Sequence, residues 1–401
     1  MVIKKNIPQL RFPEFEGEYE KRILNDTCTI VGGGTPDSGK EELWNGHIQW
    51  FTPTEIKMDY VSKSERTITE LGLKKSSARI LPKGTILLTS RATIGEVAIA
   101  LNECTTNQGF QSLIVNKLYN NLFIFNWIKN NRYQFVRRAN GSTFLEISKS
   151  EIGKIPICTP TLPEQQKIAS FFTAIDQKIT QLKRKLTLLE QYKKGVMQLI
   201  FSQEIRFKDD GGQEYPKWEK KRLGEIAEVK RGAASNHLKY VNDESKGIRL
   251  LRINDFLSDD AVYVEDTDDI KRFRVRRNDL LIAGTGATAG IVFIVPEKFD
   301  GLSYSYNAPR IRVTNAFHTF IYHYLKSDII LKQQKRLFVG NAQTFLDTDV
   351  IRGFKINLPS DKEQVKIANF LSAIDNKIDH TQKQIEKAEV WKKGLMQQMF
   401  V

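Results

Sequence analysis

The run GTPDSGK at 34–40 has the spacing of a phosphate-binding loop placed after a strand. Such a loop needs Ser or Thr next, to hold a magnesium ion, and Glu41 stands there instead. A carboxylate at that point repels phosphate, so the run reads as a flexible polar loop. GTGATAG at 284–290 has the look of a dinucleotide fingerprint. The residues that follow, 291–295, favour a strand, so no helix N-terminus awaits a pyrophosphate and a hairpin turn is expected. Asp259, Asp260, Glu265, Asp266, Asp268 and Asp269 are grouped as in a metal-dependent nuclease. They lack a basic partner set at a strand end, and a solvated loop is the expectation. His318 and His323 are five apart on a predicted helix, which is poor ligand spacing. The Asn/Asp-Pro-Pro-aromatic run of adenine methyltransferases is absent. No catalytic constellation emerges.

What remains is basic and polar turn chemistry. Arg suits guanine edges and Asn suits adenine edges, while Lys and hydroxyls mostly hold phosphates. The candidate DNA contacts of the first half are Thr35, Ser90, Arg91, Thr93, Arg137, Arg138, Asn140 and Ser142. Those of the second are Arg231, Ser235, Asn236, Lys239, Thr285, Thr288, Arg310 and Asn341. Runs of this kind also occur in ordinary surface loops. The formal net charge of +14 favours a polyanionic partner, nucleic acid before membrane surface. Charge kept for solubility is the plainer reading.

These residues need something to hold them, and the chain carries it twice. Residues 161–201 read TLPEQQKIASFFTAIDQKITQLKRKLTLLEQYKKGVMQLIF, and 360–400 read SDKEQVKIANFLSAIDNKIDHTQKQIEKAEVWKKGLMQQMF. They align without a gap at an offset of 199, with EQ, KIA, AID, KI, KKG and MQ in register. Apolar or small residues step by fours and threes, from Ile168 to Ile200 and from Ile367 to Met399. That is a coiled-coil seam of about four to five heptads, interrupted by Lys193 and Lys392. Each helix should run roughly 60 Å at about 1.5 Å per residue. Neither can bury its stripe alone, and pairing about a pseudo-two-fold axis makes the two antiparallel. A capping box is expected at each start, Thr161 with Glu164 and Ser360 with Glu363. The repeated KKG, Lys193-Lys194-Gly195 and Lys392-Lys393-Gly394, suggests a close helix crossing or a docking site for a partner.

The repeat reaches the rest of the chain. Arg11-Phe12 and Tyr19 correspond to Arg206-Phe207 and Trp218, so the N-terminal segment should pack beside the end of the second helix. Strands are predicted at 27–31, 48–52, 85–89, 97–101 and 112–115, with a helix over 122–136. The second half repeats the order, with strands at 226–230, 248–253, 279–283, 291–295 and 310–313 and a helix over 317–331. Landmarks pair Asn107 with Asn307, Gly95 with Gly290, and Leu145 with Leu346. The fold class is α+β: two similar domains separated by two long antiparallel coiled-coil helices. The segments are 1–160 and 204–359 for the domains, 161–203 and 360–401 for the helices. No run of some 18 apolar residues and no signal-type apolar core is present, so no membrane partner and a cytoplasmic location are expected. Cys28, Cys104 and Cys158 frame neither disulfides nor zinc, and reduced, buried thiols follow.

The helix copies, together with IVGGGTP, TSRATIGEVAI and NQGF, closely resemble those of the specificity subunit of type I restriction-modification systems. The second domain keeps weaker versions, such as GTGATAG. The resemblance implies two target-recognition domains, each reading half of a bipartite site in double-stranded DNA, with the helices as spacer. It implies two modification subunits docked on this chain, which methylate adenine with S-adenosylmethionine. It implies restriction subunits that use ATP and Mg2+. No cofactor and no metal is placed on this polypeptide. Two other classes stay open: a nuclease with an unrecognised site, and a scaffold whose helices serve assembly alone.

Overall fold

The computed structural model describes residues 6–141, 145–257, 261–338 and 345–401. Ser142 and Asn341 lie outside the described residues, as do Asp259 and Asp260. The chain divides into two compact units, Met1–Lys183 with Lys383–Val401, and Arg184–Gln382. The long helices, Leu162–Phe201 and Asp361–Met399, each begin in one unit and end in the other.

In the first unit a five-stranded sheet has the order Cys28–Gly32, Gln111–Val115, Ile86–Leu88, Val97–Ala100, Tyr60–Val61. Beside it, Trp44–Phe51 lies between Arg66–Ile68 and Thr105–Thr106, antiparallel to the one and parallel to the other. Glu20–Ile23 pairs with Pro156–Thr159, so the two ends of the domain are tied just before the long helix begins. The second unit repeats this arrangement. Ala227–Lys230, Arg310–Val313, Leu280–Ile282 and Val292–Ile294 form one sheet. Tyr240–Val241, Tyr263–Val264, Ile248–Leu251 and Ser303–Tyr304 form the other, and Glu219–Arg222 pairs with Lys355–Leu358. Each predicted strand is present, most within a residue or two of the expected ends, but the strand expected at 48–52 begins four residues earlier, at Trp44, and the short strands that pair with these are not among those predicted. Each predicted domain helix is two: Asn121–Asn130 and Arg132–Arg137, then His318–Leu325 and Asp328–Phe338. Apolar spacing runs through both breaks, so periodicity alone did not reveal them.

Each unit buries part of both long helices, antiparallel. In the first, Ile168, Phe172, Ile175 and Ile179 share a core with Leu395, Met396, Met399 and Phe400. Lys392 Nζ reaches Asp176 Oδ1 at 2.5 Å, and Lys183 reaches Glu389 at 2.7 Å. In the second, Met197, Ile200 and Phe201 share a core with Ile367, Leu371 and Ile374. There Lys193 Nζ reaches Asp375 Oδ1 at 2.5 Å. The KKG lysines that interrupt the apolar seam are therefore paired with the aspartates of the AID motif. Leu10 N donates to Gln398 O (3.0 Å) and Phe12 packs edge-on to Phe171, so the N-terminal segment does lie beside the end of the second helix.

The capping boxes do not form. Arg11 donates to both oxygens of Glu164 (2.8 and 2.7 Å), and Tyr19 Oη donates to the same carboxylate (3.1 Å). Glu363 likewise takes Arg206 (3.2 and 2.7 Å) and Trp218 Nε1 (3.0 Å), while Ser360 Oγ is buried without a partner. A guanidinium fork outcompetes a backbone amide for a buried carboxylate because it brings charge and two aligned donors. The neighbouring glutamines act in parallel. Gln165 Oε1 accepts from Asn120 N (2.9 Å) and Gln364 Oε1 from Phe317 N (2.7 Å), fixing the start of a domain helix in each unit. The EQ pair thus ties each long helix to its domain twice. The buried thiols of Cys28 and Cys104 are pushed up to about 12 by desolvation, as inert core residues.

Removing one partner of so buried a pair leaves an uncompensated charge. Arg11→Ala and Arg206→Ala should each cost about 3–5 kcal/mol of stability. Denaturant unfolding of the full chain measures this, and a change near zero would show that these pins are dispensable.

Candidate nucleic-acid interface

Four segments of the first unit converge on one surface. Gly33 and Gly34 lie against the chain opposite, where a Cβ on Gly33 would overlap the carbonyl oxygens of Asn107 and Thr106. Only glycine permits that approach. Trp50 Nε1 donates to Gly34 O (2.8 Å) and Trp44 Nε1 to Asp37 O (3.1 Å). The 34–40 run is therefore pinned rather than flexible, and a single 3₁₀ turn follows it where a phosphate loop would need a helix. Thr35 Oγ1 donates to Gln108 Oε1 at its exposed tip. The turn between Ile86–Leu88 and Val97–Ala100 comes next. Ser90 N donates to Gly109 O (2.7 Å), and Ile147 N donates to Ser90 O (3.1 Å). Arg91 Nε meets Glu146 Oε2 at 2.9 Å, and Asn140 exchanges two backbone bonds with Glu146 (2.9 and 3.0 Å). Thr35, Arg91, Thr93 and Asn140 are exposed here. Arg137, exposed, and Arg138, half-buried, end the helix that leads into the same loop. Ser90 is fully buried, with its Oγ unpartnered, so its backbone builds the surface and its side chain does not reach it.

The second unit builds the same frame from other residues. Gly232 sits against Tyr304 and Ser305 as Gly33 does against Thr106 and Asn107. Gly284 N donates to Asn307 O (2.9 Å), and Leu346 N donates to Gly284 O (2.8 Å). By these bonds Gly284 occupies the place of Ser90, Asn307 that of Gly109, and Leu346 that of Ile147. Pairing Asn107 with Asn307, and Leu145 with Leu346, is therefore wrong by two residues in each case. The backbone bonds repeat there, and the residue types do not. Gly95 and Gly290 do correspond: each N closes the turn, onto Thr89 O (3.0 Å) and Ala283 O (2.8 Å), with φ of 82° and 89°. GTGATAG is the expected turn.

Ser235, Thr285 and Thr288 line a cleft of about 500 Å3 together with Arg252, Asn254, Tyr306 and Asn307. Asn236 and Lys239 are exposed nearby, Lys239 facing Glu265 at 3.4 Å. Arg231 is sandwiched between the rings of Tyr306 (4.3 Å) and Phe345 (4.6 Å), with Nη2 on Asp347 Oδ1 (3.0 Å). That contact and the Thr348 amide hold the Asp347 carboxyl below its usual range. Arg310 does not belong on the surface. It is buried in its strand, paired with Glu228, and donates to Arg274 O (3.2 Å), so it holds the sheet.

Sequence reasoning missed Arg132, which donates to Ile94 O (3.0 Å) and pairs with Glu96 (2.6 Å) under the first turn. It missed Arg252 and Asn254 as well. Nothing local marked them, because a strand end becomes a cleft wall only in three dimensions. The acidic run is ordinary surface chemistry: Asp268 pairs with Lys271, and Asp269 with Arg272 and His237. His323 is buried and its imidazole pushed down to about 4, first by desolvation and then by Lys193. No group of residues fit to hold a metal ion occurs among the described residues.

Lys194, Gly195 and Lys393 face outward, and Gly394 is half-buried. A Cβ on Gly195 or Gly394 would meet nothing within 4 Å, so no close helix crossing explains these glycines. Lys194 borders a groove of about 350 Å3 in the second unit, and Lys393 one of about 870 Å3 in the first.

The family model for the type I restriction modification DNA specificity domain matches residues 16–191 and again 215–390. The MjaIX specificity subunit of Methanocaldococcus jannaschii is 30% identical over 391 residues, covering 92% of this chain and 89% of that protein. The MjaVIII specificity subunit of the same organism is 24% identical over 98% of this chain and 93% of its own length. The crystal structure of the type I restriction-modification S subunit from M. genitalium superposes with a TM-score of 0.61 at 16% identity, over 98% of this chain and 99% of that one.

Gly33→Ala should break the first unit's frame and leave the second's intact, since its Cβ has no room beside Asn107 O. Hydrogen exchange of the full chain should show faster exchange at the 33–35 and 106–110 amides only. Unchanged protection there would mean that the loops can part without cost.

Proposed function

Because the chain belongs to the type I restriction-modification DNA specificity family, and is a specificity subunit rather than an enzyme, we propose that each unit reads one half of a two-part DNA site. The observation that carries this is the shared backbone frame, which presents different polar side chains in each unit. Thr35, Arg91, Thr93, Arg137, Arg138 and Asn140 are the first unit's candidates for contacts to double-stranded DNA. Ser235, Asn236, Lys239, Thr285 and Thr288 are the second's. Arg91 and Glu146 are both more than a third exposed, and exposed ion pairs contribute little, so a phosphate can replace the carboxylate. The net charge of +14 supplies the sequence-independent attraction.

Two modification subunits are the proposed partners of the long helices, with restriction subunits joining through them. S-adenosylmethionine, ATP and Mg2+ belong to those partners. The outward Lys194, Gly195 and Lys393, each near a Lys–Asp pair, are the docking candidates. Lys193 and Lys392 are already engaged and act by fixing the helices. Among the described residues no helix is long and apolar enough to cross a membrane, and the cytoplasm, where the DNA is, is the proposed location.

If the helices act as spacer, their length sets the unread gap between the half-sites. Inserting four residues after Leu182 adds about 6 Å and slightly more than one turn, so the seam stays roughly in phase. The gap should lengthen by about one or two base pairs, at about 3.4 Å each, with both half-sites unchanged. The measurement is the set of methylated adenines in DNA from cells carrying the assembled complex. An unchanged gap in an active complex would remove the helices as the ruler. Lack of any salt-dependent DNA binding by the assembled complex would favour a pure scaffold.

A Gly195→Ala and Gly394→Ala double variant should form more stable helices, by about 1 kcal/mol per site. If modification subunits approach closely there, assembly measured by analytical ultracentrifugation should weaken. Undiminished assembly would move the docking site elsewhere on the helices.

A further inference from the structure

One pair of turns stands at equivalent places in the two units and carries different chemistry. In the first unit it follows Trp44–Phe51 and in the second Ile248–Leu251. Each of these strands runs parallel to a short partner, Trp50 opposite Thr105 and Leu250 opposite Ser303. Each ends on the same bond: Asn107 N donates to Phe51 O (3.0 Å) and Ser305 N to Leu251 O (3.0 Å). The next backbone amide is then held by a carboxylate three residues on. Thr52 N donates to Glu55 Oε2 (2.6 Å), and Arg252 N donates to Asp255 Oδ2 (2.8 Å). A 3₁₀ turn follows in both, Pro53–Glu55 and Ile253–Phe256. In the second unit the buried Asp255 also receives Arg249 (2.9 and 2.7 Å) and lies 3.4 Å from Arg252 Nε.

The backbone of this turn is thus fixed before any ligand arrives, and fixed alike in both units. Its side chains are not alike. The half-buried positions carry Thr52 and Arg252, and the exposed ones Thr54 and Asn254. A guanidinium fork fits guanine O6 and N7, and a carboxamide fits adenine N6 and N7. Thr52 Oγ1 donates to Glu55 Oε2 (2.8 Å) and lies 3.1 Å from Thr54 Oγ1, so this turn presents threonine methyl groups and the exposed Thr54 hydroxyl, which suit a thymine methyl or a phosphate. Arg252 and Asn254 line the same cleft as Ser235, Thr285 and Thr288. In the first unit Pro53 of the turn packs on Gly109, whose carbonyl receives Ser90 N.

We propose that this turn is a specificity determinant of each unit, with Arg252 and Asn254 contacting base edges in one half-site and Thr52 and Thr54 in the other. The inference rests on the half-site reading given above. It adds residues that the turn chemistry of the sequence did not single out.

The test uses the full chain assembled with its modification subunits, and reads the methylated motif in DNA from cells carrying each variant. The variants are Asn254→Thr, Arg252→Thr with Asn254→Thr, and Thr54→Asn. Asn254→Thr should alter or relax the base preference at one position of a single half-site, by about ten- to hundredfold. The double variant should extend the change within the same half-site. Thr54→Asn should alter only the other half-site, and the gap should hold in all three. Arg252 touches Asp255, so the double variant risks the fold. Asn254 and Thr54 are exposed, and their single variants keep the test decisive. An active Asn254→Thr complex with the original base preference would overturn the proposal. So would equal weakening at every sequence, which marks a phosphate contact, or a change in both half-sites at once. A wild-type complex that methylates no two-part motif would overturn the half-site reading itself, and this inference with it.

Discussion

A helix of 40 residues with a single apolar stripe has no means of covering that stripe by itself. Burying one Ile or Phe side chain is worth about 1.5–3 kcal/mol, so a row of them left in water would undo the fold. Each unit solves the problem in the same way, by laying an end of one long helix antiparallel to part of the other and closing them with its own short helices. The charged seam positions then select the register. Burial lowers the Lys193 pKa, while Asp375 opposes that shift, and Lys392 sits on Asp176 in the matching geometry. In another register each ammonium would lose its carboxylate and stay half-buried, which costs more than the pair contributes when made. The lysines therefore add little net stability and much definition.

The recognition frames depend on a second constraint, the close approach of two backbones. Gly33 and Gly232 permit it, and the bonds that follow from it fix the surrounding turns. Because main-chain bonds carry much of the frame, the residue types at several positions around it can differ between the units. Ser90 in one unit and Gly284 in the other make the same two main-chain bonds. That is how two units of one architecture come to display different surfaces. The proposed reading of two different half-sites would use this separation of scaffold from contact.

Much of this was legible in the sequence. The seam, the antiparallel pairing and the succession of the main strands along the chain follow from periodicity and from the repeat, whereas the order of strands within each sheet does not. The repeated EQ is visible too, but its role is not the one its spacing suggests. A Ser or Thr followed by Glu three residues on predicts a capping box, and local rules cannot see Arg11 or Arg206 arriving from far along the chain. The same limit applies to the site. Thr35, Arg91, Thr93 and Asn140 are candidates because they lie in polar turns, and the fold brings those turns to one surface. Arg310 was included for its type alone, and its burial depends on Glu228 across the sheet. Arg252 and Asn254 were passed over because a strand terminus gives no signal of the cleft it will border. The Asn107 and Asn307 pairing failed for a related reason: residue identity drifted at that point while hydrogen bonding did not.

The positions that can change and those that cannot are separated in energy as well as in space. Substituting an exposed turn residue away from special features usually alters stability by about 0.5 kcal/mol or less. Breaking a buried Arg–Glu pin costs several times as much. Thr54 and Asn254 are exposed, whereas Glu164 and Glu363, each about fully buried, belong to the second kind. Between the two units the exposed turn residues differ, Thr54 against Asn254, while the helix starts keep the same EQ and the same arginine. The two surfaces can therefore differ without either unit losing its hold on the long helices.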